Sequence, residues 1–91
     1  MNTIVSTTKP SEVIQQHLAN GVETLRAKFD SRKEKWGIVK STRSGGWRSY
    51  GSGAIYNSKA DCEKTISKTA DAYPSTYRVD DGSSTYVKAG K

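Results

Sequence analysis

The sequence predicts an α+β fold: a small antiparallel β-sheet with one long N-terminal helix and one shorter helix, in the order α-β-β-β-α-β-β. Three observations carry this. Apolar residues from Ile14 to Phe29 recur at helical spacing. From Lys35 onward the side chains alternate with the period of a strand, and glycines punctuate the run. A second helical face then starts behind a capping serine, Ser58. At 91 residues the chain holds one core. Residues 11–91 are therefore read as a single small α+β domain, and 1–10 as a flexible N-terminal arm.

The arm is polar apart from Ile4 and Val5, which add a short strand or fray. It has no charged lead and no long apolar block, so no signal peptide is expected. Pro10-Ser11 announces the first helix. Ile14, Leu18, Val22, Leu25 and Phe29 follow in steps of four, four, three and four, one face of a helix over 11–30. Asn20-Gly21 is a turn signal inside that stretch. The stripe keeps its phase across the pair, which favours one continuous helix. The outer face then carries Gln15, Gln16, Glu23, Arg26 and Lys28.

Lys35–Ser41 reads as a strand, with Trp36 and Ile38 on one face and Lys35 and Val39 on the other. Ser44-Gly45-Gly46 supplies a tight reversal. Trp47–Tyr50 returns, Gly51-Ser52-Gly53 bends, and Ala54–Tyr56 forms a third short strand. Ser58 caps the second helix, with Asp61 three residues on. Cys62, Ile66, Thr69 and Tyr73 give it a narrow inward face, and Pro74 stops it. Ser75–Asp80 and Ser84–Lys88 are strands joined by a hairpin turn at Asp81-Gly82. Ala89-Gly90-Lys91 fray.

Only fourteen residues are Leu, Ile, Val or Phe, but eight are aromatic. A thin core carried by Trp, Tyr and Ile follows, since each ring buries roughly 150–250 Å². No apolar run approaches the ~20 residues that span a bilayer, so no membrane association is expected. The single Cys62 excludes an internal disulfide and suits a reducing, cytoplasmic setting.

The most biased stretch is Ser31–Gly53. It holds Arg32, Lys33, Lys35, Lys40, Arg43 and Arg48 against one acid, Glu34, in a chain of net charge +6. Trp36, Trp47 and Tyr50 are interleaved with these charges. Cations on such a ribbon neutralise phosphates, and aromatics stack on or wedge between bases. A two-stranded ribbon also fits the major groove. The plainer alternative makes Trp36 and Tyr50 core and the charges a solvated edge that deters edge-to-edge pairing.

Other chemistry finds little support. His17 is the lone histidine, with no metal or proton-relay partners spaced near it. Cys62 sits on an inward helix face with nothing to activate it. Asp80-Asp81-Gly82 lacks calcium-loop spacing. The glycine pairs match no phosphate loop. No enzyme activity, cofactor or metal is expected.

Trp36–Tyr56, a hairpin with Gly-Gly at its tip, leads through Tyr56-Asn57-Ser58-Lys59-Ala60 into a helix. It resembles in outline small sheet-plus-helix DNA-reading domains, such as the arm-binding domains of phage-type integrases. The likeness covers about a third of the chain, matches no specific motif, and implies a sheet that faces DNA.

The first expectation is thus a small basic non-enzymatic binding protein that contacts nucleic acid. Arg32, Lys33, Lys35, Lys40, Arg43 and Arg48 would hold phosphates, with Trp47 and then Tyr50 on bases. The rival is a phage- or mobile-element-type inhibitor, an antidefence or host-takeover factor, docking on an acidic protein surface through the same residues. A third class is an assembly subunit that forms a homodimer through the first helix.

Overall fold

A computed structural model of the chain describes residues 2–6, 9–51, 53–80, 82 and 85–89, with backbone alone for 2–6 and 85–89. The elements are β1 (Asn2–Ser6), α1 (Pro10–Ala19), β2 (Glu23–Asp30), β3 (Lys35–Ser41), β4 (Trp47–Tyr50), α2 (Lys59–Ala72), β5 (Tyr77–Val79) and β6 (Thr85–Ala89). Four strands form one sheet in the order β4-β3-β2-β5, and β1 pairs with β6 in a second. The α+β class holds, with two helices and a mixed sheet.

The long first helix is not formed. α1 ends at Ala19, and the second half of the expected helix is β2. Asn20-Gly21 makes the break, with Gly21 at φ +82°, a left-handed conformation that costs glycine nothing. Leu25, Ala27 and Phe29 alternate with Thr24, Arg26 and Lys28, which is strand period. Leu25 is fully buried in the sheet core, so the expected apolar stripe is divided between α1, which keeps Ile14 and Leu18, and the sheet. The N-terminal arm includes β1, which runs antiparallel to β6 with Ile4 opposite Val87.

Two further expectations change. The sheet is not wholly antiparallel: β5 runs parallel to β2, with Glu23 beside Tyr77 and Leu25 beside Val79. α2 intervenes and carries the chain back over the sheet, so β5 re-enters in the direction of β2. β5 does not form a hairpin with β6, which pairs with β1 instead. Asp81 lies outside the described residues, as do Ser52, Gly90 and Lys91. The third short strand is reduced to one bridge, Tyr56 opposite Trp36.

β3 spans the expected residues and pairs antiparallel with both β2 and β4. The register places Leu25, Ala27, Phe29, Trp36, Ile38, Lys40, Arg48 and Tyr50 on one face. α2 packs there against β2, β3 and β5. Its start is fixed as expected: Ser58 Oγ accepts from the Asp61 N–H at 3.1 Å. Leu25, Ile38, Cys62 and Ile66 form the core, ringed by Ala27, Trp36, Tyr50, Tyr56 and Tyr77. Burial pushes the Cys62 thiol pKa up, and nearby Glu63 adds to this.

The opposite face carries Thr24, Arg26, Lys28, Gly37, Val39, Ser41, Trp47 and Ser49. α1 packs against β2, β3 and β6. Thr24 and Ser41 are buried and polar, and each finds a partner. The Thr24 N–H donates to Ser41 Oγ at 3.0 Å, and Arg78 Nη1 donates to Thr24 Oγ1 at 3.0 Å. Gln15 Nε2 donates to the Thr42 carbonyl at 2.9 Å and ties α1 to the β3–β4 turn.

Candidate nucleic-acid interface

On the face away from α2, beyond the part near α1, lies an open groove of about 580 Å³. Lys28, Arg32, Lys33, Val39, Trp47 and Ser49 line it. Each is placed by a local cause. Lys28 and Val39 project from β2 and β3 because strand side chains alternate. Arg32 and Lys33 sit on the exposed turn 31–34, organised by the Asp30 carboxylate. Its Oδ1 accepts from the backbone N–H of Arg32 at 2.9 Å and of Lys33 at 3.3 Å. This side chain-to-backbone capture is typical of Asp at turns.

One wall of the groove depends on Gly37. The Gly53–Ala54 segment crosses directly over it, and a Cβ at Gly37 would stand 3.0 Å from the Ala54 Cα. Any side chain there would press on the Ala54 backbone and push the segment outward. The segment is tied down by hydrogen bonds from the Ile55 and Tyr56 N–H groups to the Trp36 carbonyl, at 3.0 and 2.9 Å.

Trp47 is half-buried at the end of the groove. The Arg26 guanidinium lies over its ring, 4.1 Å from the centroid. Arg26 also stands 3.9 Å from the Asp80 carboxylate. One face of the indole is thus already occupied by a cation, an arrangement worth about 0.5–1 kcal/mol at exposed sites. Trp47 holds Arg26 in place instead of offering both ring faces to a base.

The basic stretch does not form one surface. Lys40 and Arg48 project to the α2 side of the sheet. With the turn residue Arg43 they line a second groove, bordered by Leu18, Glu23 and Thr42. Lys40 Nζ sits 3.2 Å from Glu23 Oε2. Lys35 Nζ is bound to Asn57 Oδ1. Tyr50 packs on the core, its ring 5.3 Å from that of Tyr77. Burial raises its phenol pKa above the usual value, and hydrogen bonding to Tyr77 adds to this. Base stacking by Tyr50 is therefore set aside: the ring already has a partner and a place in the core. Trp36 packs on the same core and against Phe29, with centroids 5.4 Å apart.

Arg26 and Lys28 were missed as site residues because the expected helix placed them on a solvated outer face. The alternation of residues 24–29 was the signal that would have found them. Among the described residues, no group of three metal-ligating side chains is placed to hold an ion, and no helix is long and apolar enough to cross a membrane. Set against known protein families, curated proteins and solved structures, the chain finds no match.

Proposed function

We propose that this is a non-enzymatic protein that binds nucleic acid through the basic groove of its sheet. The observation that carries the reading is the convergence of Lys28, Arg32 and Lys33 on one groove that ends at Trp47. Three flexible cations and one local carboxylate, Asp30, leave the groove strongly positive. It is open to solvent, which suits a charged backbone better than an enclosed small molecule. Lys28, Arg32 and Lys33 hold phosphates. Arg26, steadied on Trp47, lies outside the groove's lining, 3.9 Å from the Asp80 carboxylate. Ser49 offers a hydroxyl to a phosphate or a base edge.

The test is a salt series of binding isotherms. Three neutralised phosphates give a log–log slope of about −2 to −3, depending on whether the strand is single or paired. Lys28→Ala and Arg32→Ala each flatten that slope by about one unit and leave the melting temperature in place. Failure of the purified chain to bind DNA or RNA at low salt overturns the reading. An acidic protein surface, which the same cations would also meet, then becomes the partner to pursue.

A further inference from the structure

We propose that the ligand is B-form duplex DNA, entered edge-on by strand β4; this rests on the nucleic-acid reading above. β4 is the outermost strand beside β3. Neither helix packs on it: α2 lies against β2, β3 and β5, and α1 against β2, β3 and β6. Among the described residues no helix covers this edge, and Ser49 and Arg48 are exposed on its two sides while Tyr50 packs on the core. Trp47 and Ser49 point to one side of it, Arg48 and Tyr50 to the other.

Cations flank this edge on both sides in matching numbers. Lys28, Arg32 and Lys33, with Asp30 among them, line the groove on one side. Lys40, Arg43 and Arg48, with Glu23 among them, line the groove on the other. A single strand tracking one groove meets only one of these sets. A duplex that receives the edge in its major groove presents a phosphate backbone to each.

The dimensions agree. A sheet with side chains on both faces is about 10 Å thick, judged by the spacing of packed sheets. The major groove of B-DNA is about 12 Å wide. The major groove of A-form RNA is deep and narrow and closed to such an element.

The experiment measures anisotropy of a short labelled DNA duplex, the matching RNA duplex and each DNA single strand, from about 0.05 to 0.2 M salt. The full chain is compared with Lys33→Ala, Arg48→Ala and the double variant. Both substituted residues are exposed, and a thermal melt checks that folding is intact. Six phosphates give a slope of about −5 on duplex DNA, against about −3 for one groove alone. Each single variant flattens the slope by about one unit and the double by about two. Weaker binding to RNA duplex and single strands completes the expected result. A slope of about −3 with Arg48→Ala silent overturns edge-on entry while groove binding stands. So does equal affinity for single and double strands. Absence of salt-dependent binding to every probe overturns both readings.

Discussion

The two faces of the four-stranded sheet are held by different physics. On the α2 side, Leu25, Ile38, Cys62 and Ile66 are buried and close-packed. On the other, the buried side chains of β2 and β3 are Thr24 and Ser41, stabilised by hydrogen bonds to each other and to Arg78. The remainder of that face is Arg26, Lys28, Gly37, Val39, Trp47 and Ser49. Burial makes the first face the source of stability. On the second, α1 buries Val13 over part of the sheet, and the part beyond α1 carries the cations. The division leaves the part of the second face beyond α1 open, which is the surface proposed above for nucleic acid.

The sharpest way to break the comparison is on the α2 side. Ile66→Ala removes a side chain that is 1 % exposed from the centre of the core. It should cost about 2–5 kcal/mol in a urea titration, a large part of the stability of a domain this small. A loss below about 1 kcal/mol would mean that the core is not where stability resides.

Gly37→Ala acts on the other face. The added methyl meets the backbone of Ala54 and forces the 53–54 wall outward. Overpacking of this kind costs about 1–3 kcal/mol. It should also weaken DNA binding, whereas Ile66→Ala, measured where it is still folded, should not. Equal effects of the two on binding would erase the distinction between the faces.

The smallest of these effects belongs to Ser41→Ala, which leaves the buried Thr24 N–H without its acceptor. A loss of about 1–2 kcal/mol is expected, below that of Ile66→Ala, with the salt slope of binding unchanged. A thermal melt paired with one binding isotherm at each of two salt concentrations checks both halves.

Much of this was legible in the chain, and the misreading is instructive. α2 was visible in Ser58, in the Cys62–Ile66 spacing and in Pro74. β3 was visible in the alternation around Ile38. The first helix was misread because Leu25 and Phe29 are four apart, and a spacing of four satisfies helix and strand alike. Ala27 breaks the tie, and it is too small to weigh heavily in a hydrophobic pattern. A helix over 11–30 puts Arg26 and Lys28 on a solvated surface, so Lys28, one of the groove's three cations, is not legible as part of the site. The basic hairpin was recognised as a charged element, but its residues could not be divided between faces without the register to β2.

By itself the sequence determined the α+β class, the capped second helix, the thin aromatic-rimmed core and the concentration of charge between residues 31 and 53. These follow from local periodicity, turn chemistry and composition, which act over a few residues. Only the tertiary structure decided that β5 runs parallel to β2, that β6 leaves it for β1, and that Lys28, Arg32, Lys33 and Trp47 share one groove. Those outcomes depend on strand register and on the crossing of the 53–54 segment over Gly37. Both are contacts between residues far apart in the chain, and no local pattern encodes them.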